Sequence, residues 1–265
     1  MVDNIKVIND EYLDKVFENR IIQPDNTNRN SEIFIYNSKV LKIYTKDSKQ
    51  TNYNINNIKE IFKKYKYLKN IKELVLPTDI LKYNKDIIGF SMPYIKGITL
   101  DEIIKNNLLS DSEIKQIFIK LLNLINKFNY LPFDFYIGDL HEKNIIIDEY
   151  LNINIIDPDS FILNNKKLII DKQIIIGKYS NHYYNNKELK IINISSDYYC
   201  LLCMILNYVF IDIIEDKSNP VSYIKNDQRF KEISYIIYKT NNIKSFNITI
   251  NDIDNIFNLK GIITK

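Results

Sequence analysis

The chain has 265 residues, enough for one two-lobed domain or two small domains with a sizeable core. Hydrophobic residues make up 45% and charged residues 26% of the sequence, a composition that excludes a largely disordered protein. The formal net charge of +3 is too small to favour nucleic acid as a partner.

No apolar run is long enough for a membrane span, and Met1–Arg20 is too polar for a signal peptide. Cys200 and Cys203 form a C-x-x-C pair inside an apolar segment of helical character. His141 and His182 do not complete a ligand cluster with them, so we expect core thiols in a reduced cytoplasm, with no membrane association. Asn and Lys are used so heavily that runs of either carry little meaning.

The first third of the chain alternates short apolar runs with one amphipathic helix. The runs predict strands over Ile33–Tyr36, Val40–Tyr44 and Ile87–Met92, with a hairpin turn at 37–39. The helix is indicated by apolar residues at helical spacing, namely Ile55, Ile58, Ile61, Phe62, Tyr65 and Leu68.

The rest of the chain is richer in helical patterns. Ser110-x-x-Glu113 is a capping box that opens a long amphipathic helix ending near Phe128. Short strands are predicted at 144–147 and 153–156, and a further helix at 196–210. These elements predict an α+β fold with two lobes, a small β-rich N-lobe over residues 1–94 and a mainly helical C-lobe over residues 95–265.

The residues with the clearest chemistry follow the long helix. The segment 138–147 begins Gly138-Asp139-Leu140-His141, and Asp157 directly follows the next predicted strand. Phosphoryl transfer from ATP needs a carboxylate to orient the accepting hydroxyl, ligands for Mg²⁺ and cations that neutralise charge. Asp139 fits the first role, and a strand–turn–strand brings Asn144 and Asp157 to one edge, where their oxygens can share a hard cation.

This pattern resembles the protein-kinase-like superfamily, in which a D-x-x-x-x-N catalytic loop precedes a D-F-G motif. The G-D-L-H form of the loop is similar to the aminoglycoside and choline kinase branch. The resemblance implies a bilobal kinase-like fold and ATP and Mg²⁺ as cofactors. It also implies that Asp139 is the catalytic carboxylate and that Asn144 and Asp157 are the metal ligands.

The same resemblance implies roles for residues of the N-lobe. Lys42 lies in a Val40-Leu41-Lys42-Ile43 run and would reach the α- and β-phosphates. Glu60 of the following helix would pair with it, and Glu73 is the less favoured alternative because it adjoins the next strand. Met92 would be the gatekeeper. The Pro93 carbonyl and the Ile95 N–H would then bind adenine, and Met92–Ile95 would connect the lobes.

The C-terminal third adds two further likenesses. Asp197 opens a helix, as does the aspartate that anchors the catalytic-loop backbone in protein kinases, and Glu188 loosely matches the end of an activation segment.

The sequence also departs from the pattern. No glycine occurs between Ile21 and Ile35, where a glycine-rich phosphate loop would lie. Pro158 and Asp159 replace the Phe and Gly of D-F-G, and His141 stands where protein kinases keep a lysine that contacts the γ-phosphate. A donor imidazole at His141 could serve the same role.

We therefore expect an ATP- and Mg²⁺-dependent kinase whose acceptor is a Ser or Thr hydroxyl of a protein. The tyrosines Tyr179, Tyr183 and Tyr184 lie in a stretch that could carry a peptide. Two alternatives stay open: a pseudokinase that binds nucleotide or acts as a scaffold, and a kinase for small molecules. No nucleic-acid partner is expected, and the oligomeric state is not specified by the sequence.

Overall fold

The computed structural model describes residues 5–18, 31–45, 48–164, 168–171, 178–179, 189–192, 194–225, 227–240 and 245–262. The protein is a mixed α+β structure with a small N-terminal sheet and a helical remainder, which confirms that part of the predicted fold. It divides into unit 1, Met1–Lys96 with Asn154–Phe161, and unit 2, Gly97–Ile153 with Ile162–Lys265. Asn154–Phe161 therefore belongs with unit 1, although the sequence analysis placed it in the C-lobe. Among the described residues, no helix combines the length and the apolar character needed to cross a membrane.

Unit 1 is built on a five-stranded sheet with the order β1-β4-β5-β3-β2. Its strands are β1 (Ile5–Ile8), β2 (Ser31–Tyr36), β3 (Lys39–Tyr44), β4 (Asp79–Tyr83) and β5 (Asp86–Pro93). β1 is parallel to β4 and the other neighbours are antiparallel. Asn37 and Ser38 both have positive φ angles, 49° and 59°, which is the backbone of a tight hairpin turn between β2 and β3. The predicted hairpin is confirmed.

The two faces of this sheet have different surroundings because side chains alternate along a strand. Leu41 and Ile43 of β3 are buried in an apolar cluster with Phe34 and with Val16 of α1 (Asp10–Phe17). Lys42 occupies the alternate position between them. The second helix of unit 1, α2 (Lys49–Leu68), contains the predicted amphipathic helix.

Unit 2 holds short strands and most of the helices. In the part that the structure describes, the strands are β6 (Ile98–Thr99), β7 (Asp134–Tyr136), β8 (Ile145–Ile147), β10 (Ile162–Asn164), β11 (Leu168–Asp171) and β12 (Leu189–Ile192). β9 (Ile153–Ile155) carries the chain from unit 2 into unit 1. Antiparallel pairs form between β6 and β8, β7 and β10, and β11 and β12.

Among the described residues, the α-helices of unit 2 are α3 (Leu100–Lys105), α4 (Asp111–Phe128), α5 (Ser195–Val209), α6 (Pro220–Lys225), α7 (Ser234–Lys239) and α8 (Ile250–Asn258). α4 begins with the predicted capping box, in which Ser110 and Glu113 bond each other's backbone N–H. α5 is buried along its whole length. It includes Cys200 and Cys203, which are buried free thiols whose pKa values burial raises well above the usual range. The prediction of core thiols is confirmed.

Candidate functional site

Lys42 is the centre of a buried charged cluster in unit 1. Its ammonium donates hydrogen bonds to Asp157 and, at 2.8 Å, to Asp159, and only 12% of its side chain is exposed. Burial acts to lower the pKa of Lys42, but the two adjacent carboxylates outweigh it and raise that pKa above its ordinary value. Lys42 is therefore held as a cation beside Asp157, the residue that the resemblance names as a metal ligand.

Asp157 reaches this cluster because the chain before it is tied to unit 1. The Ile155 N–H donates to the Glu73 carbonyl at 2.7 Å, and the Ile155 carbonyl accepts the Val75 N–H at 2.9 Å. Asp157 then adopts a left-handed backbone with φ 69° and ψ 55°, which aspartate tolerates better than most residues. A 3₁₀ turn over Pro158–Ser160 follows directly.

Asp159 is a member of the cluster that sequence reasoning missed. Its side chain is fully buried and accepts hydrogen bonds from Lys42, from Tyr44 Oη at 2.9 Å and from Asn54 Nδ2 at 3.1 Å. The Asn57 Nδ2 donates to the Asp159 backbone carbonyl at 3.0 Å. Burial and the neighbouring Asp157 raise the pKa of Asp159 to about 6 in spite of the opposing charge of Lys42.

The predicted pairing of Glu60 with Lys42 is wrong in this structure. Glu60 bonds Lys63, three positions along α2, and 39% of its side chain is exposed. The physical reason is the phase of the helix, because Asn54 and Asn57 face Asp159 while Glu60 lies farther around the helix. The partners of Lys42 among the described residues are Asp157 and Asp159.

The predicted connector between the lobes begins at the end of β5. Met92 is buried and lies opposite Val40 of β3, while Pro93 pairs with Lys39 and is exposed. Ile95 follows in residues 94–96, outside any strand. The adenine-binding roles of Met92, Pro93 and Ile95 stay predictions.

The predicted catalytic loop lies in unit 2 and is internally bonded. Asn144 donates from Nδ2 to the Asp139 carbonyl at 3.0 Å, so its amide nitrogen is engaged and its amide oxygen faces away from that bond. Gly138 has a φ of 77°, a backbone conformation that favours glycine, and it directly precedes Asp139. The Asp139 side chain is about a quarter exposed and accepts the Lys178 N–H at 3.1 Å. Asn144 and Asp139 thus lie together, whereas Asp157 belongs to the other unit.

His141 is beside the Asp139 carboxylate. Its Nδ1 accepts the Lys143 N–H at 3.2 Å, which leaves Nε2 as the protonated nitrogen of a neutral ring. Nε2 lies 3.6 Å from Asp139 Oδ2, too far for a good hydrogen bond but close enough for the Nε2–H dipole to be attracted by the carboxylate. His141 therefore presents an N–H donor next to the candidate base.

The backbone before Asp139 is held by Asp197, as the sequence predicts. Asp197 is fully buried, and its carboxylate accepts the Ile137 N–H at 2.9 Å and the Gly138 N–H at 3.4 Å. The anchoring contact is confirmed. It fixes the residue directly before Asp139 to the first turn of α5.

Asp197 predicts a pH dependence of stability. Burial raises the pKa of its carboxyl from 3.8 to about 7, although its bonds from the backbone oppose the shift. Between pH 4 and pH 7 the folded state therefore keeps a proton on Asp197 that the unfolded state has released. The stability that this bound proton contributes is lost as the pH rises through that range. We expect the unfolding free energy of the wild type to fall relative to that of Asp197→Asn over this range. Urea denaturation of both proteins at several pH values would measure it, and a difference that stays constant would contradict the assignment.

A second contact near Asp139 was not anticipated. Tyr179 is fully buried, donates from Oη to Glu142 Oε1 at 2.6 Å and accepts from Asn207 Nδ2 at 2.9 Å. This anchors the residue next to Lys178, whose N–H bonds Asp139. Tyr179, predicted to lie in a stretch that could carry a peptide, is therefore a core residue that contacts the predicted catalytic loop.

Several sequence predictions lie outside the described residues. These are residues 21–30 of the glycine-free stretch where a phosphate loop would lie, Tyr183, Tyr184 and Glu188. Within the described part of the chain, no group of three or more His, Cys, Asp and Glu residues is arranged to hold a metal ion. Asn144 and Asp157 stay the predicted ligands.

Compared with known proteins, the sequence matches no protein-family model and no curated protein significantly.

Proposed function

We propose that the protein is a kinase-like phosphotransferase that binds ATP with Mg²⁺ and transfers the γ-phosphate to a hydroxyl group. The observation that carries the proposal is the bond between Lys42 and Asp157, which lie 115 positions apart in the sequence. The resemblance to protein kinases requires this phosphate-binding lysine and this metal-binding aspartate to be close together. Composition and periodicity place no such demand on them.

Each candidate residue has a chemical role in this proposal. Lys42 supplies a fixed positive charge for the phosphates, since its two carboxylate partners keep it protonated. Asp139 orients the accepting hydroxyl and takes its proton, and its neighbour His141 offers an N–H donor for phosphate oxygen. Asp197 fixes the backbone that carries Asp139.

The proposed ligands suit Mg²⁺ in chemical type. Mg²⁺ prefers oxygen donors, often one or two carboxylates together with substrate phosphates. Asp157 offers a carboxylate, and Asn144 offers an amide oxygen because its nitrogen is already bonded to the Asp139 carbonyl. When bound, the ion would neutralise charge on the phosphates.

For the acceptor we propose Ser or Thr of a protein. Small-molecule kinases of the branch with a similar catalytic loop build their pockets from helical insertions near that loop. Here β7 begins at Asp134, soon after α4 ends at Phe128, which leaves no room for a large insertion between the helix and the loop. The Asp197 anchor also matches protein kinases better.

A pseudokinase is the second candidate. It is favoured by the absence of glycine between Ile21 and Ile35, because close approach of backbone N–H groups to phosphate is easiest at glycine. Lys42, Asp139, Asn144 and Asp157 favour the active enzyme, since a protein without catalysis has no chemical need to keep all four.

The proposal is tested by incubating the pure protein with γ-labelled ATP and Mg²⁺, and following label on the protein itself, on a generic protein and on small alcohols. We expect Mg²⁺-dependent label on protein. Label only on small alcohols would favour the small-molecule kinase. ATP binding without transfer would favour the pseudokinase, and neither binding nor transfer at millimolar ATP would overturn the proposal.

A further inference from the structure

We propose that Asp159, held in place by Asn54 and Asn57 of α2, is the residue that positions Lys42 for the nucleotide. This inference rests on the proposed function. It gives Asp159 the role predicted for Glu60 of α2, which is to pair with Lys42. Asp159 is a positioning residue here, because it acts on the phosphates through Lys42.

The geometry separates the roles of the two aspartates. Both bond Lys42, but 27% of the Asp157 side chain is exposed whereas that of Asp159 is completely buried. A metal ion needs an entry path from solvent, and the partly exposed Asp157 offers one whereas Asp159 does not. When Asp157 serves as a metal ligand, Asp159 is the carboxylate still available to hold the Lys42 ammonium.

The surroundings of Asp159 are suited to a fixed partner. Its carboxylate receives donors from three side chains, Lys42 and Tyr44 of β3 and Asn54 of α2. Burial raises the pKa of Tyr44 well above its ordinary value, so its hydroxyl stays a neutral donor. Each donor fixes one direction of the carboxylate, and a buried, satisfied network of this kind is rigid.

The charge balance explains why α2 presents asparagines. One lysine faces two aspartates, so the ionised cluster already carries one excess negative charge. A glutamate on the facing side of α2 would add a third carboxylate beside Asp157 and Asp159, and like charges at close range disfavour ionisation. Neutral amide donors satisfy Asp159 without that repulsion. Asn54 bonds its side chain and Asn57 its backbone carbonyl, so the helix is attached at two points.

The Lys42 amine reports directly on this arrangement, without nucleotide. Only 12% of the Lys42 side chain is exposed while Asp159 bonds it, and this limits the access of acylating reagents. Asp159→Asn removes the charged partner of Lys42, and Asn54→Asp replaces a donor to Asp159 by an acceptor, so each should speed labelling of Lys42 severalfold. Lys39 of the same strand, which bonds Asp79, is the internal reference, because a general loosening of the fold would speed labelling of both lysines.

The experiment measures Lys42 labelling by mass spectrometry and kcat/KM for ATP in four proteins. The matched control is Asn56→Asp, the same change at an exposed position of the same helix. We expect Asp159→Asn and Asn54→Asp each to lower kcat/KM about tenfold and to speed labelling of Lys42 relative to Lys39, and we expect Asn56→Asp to change both quantities by less than twofold.

The possible failures are distinguishable. Wild-type labelling and wild-type kcat/KM in both Asp159→Asn and Asn54→Asp would overturn the inference. If Asp159→Asn does not fold, the comparison of Asn54→Asp with Asn56→Asp is sufficient by itself. Equal labelling rates and equal kcat/KM values in these two variants would also overturn the inference. If the wild type neither binds nor uses ATP, the proposed function fails, and the labelling rates alone judge whether Asp159 holds Lys42.

Discussion

Replacing Asp139 by asparagine should lower turnover by a factor on the order of 10²–10⁴, the usual loss when a general base is removed. The change keeps the shape of the side chain, and its amide oxygen can still accept the Lys178 N–H that now bonds Oδ1. It removes the negative charge and the proton acceptor. ATP binding should be largely kept, because Asp139 is assigned to the hydroxyl and not to the nucleotide.

The measurement is the steady-state rate of phosphate transfer, with ATP affinity determined separately. Asp134→Asn is a matched control, since Asp134 is exposed at the start of β7, just upstream on the same segment. It should keep the wild-type rate. If Asp139→Asn keeps near-full turnover, Asp139 is not the general base.

Local patterns in the sequence were sufficient for much of the fold. The turn between β2 and β3 depends on Asn37 and Ser38, residues that carry their own backbone preference. The capping box of α4 depends on Ser110 and Glu113, which contact each other within one helical turn. Such features are local in sequence, so the residues involved are enough to predict them.

The features that the sequence did not reveal depend on distant contacts. β1 pairs in parallel with β4, and only its last residue, Ile8, is buried, so its sequence has no clear strand pattern. Asn154–Phe161 joins unit 1 through bonds to Glu73 and Val75 far earlier in the chain. Neither arrangement is visible in a short window of sequence.

The candidate site divides in the same way. Lys42, Asp139, Asn144 and Asp157 were found from their motifs, and Asp197 from its place at the start of a helix. Asn54 and Asn57 were passed over, because asparagine is so abundant in this sequence that its spacing carried little weight. Asp159 was seen only as a departure from D-F-G. The sequence did contain a signal for a buried acceptor such as Asp159. Lys42 and Tyr44 lie on one face of β3, and both need a hydrogen-bond acceptor when buried.

Replacing Lys42 by methionine should destabilise the fold by about 3–5 kcal/mol, the usual cost of removing one partner from a buried ion pair. Asp157 and Asp159 would then face each other without a cation. The pKa of Asp159, already raised to about 6, should rise further, so that at pH 5 this carboxyl is protonated and neutral. The loss of stability should therefore be larger at pH 8 than at pH 5.

Urea denaturation at both pH values would measure the effect, with Lys39→Met as the matched control. Lys39 lies on the same strand and also forms an ion pair, at 2.7 Å with Asp79, but its side chain is 43% exposed. Exposed pairs contribute about 1 kcal/mol or less, so this variant should change stability little. The double variant Lys42→Met/Asp159→Asn should regain part of the lost stability at pH 8, because it removes one of the two uncompensated charges. If Lys42→Met lowers the unfolding free energy at pH 8 no more than Lys39→Met does, Lys42 does not hold the two carboxylates together. That result would contradict the buried ion-pair cluster of Lys42, Asp157 and Asp159.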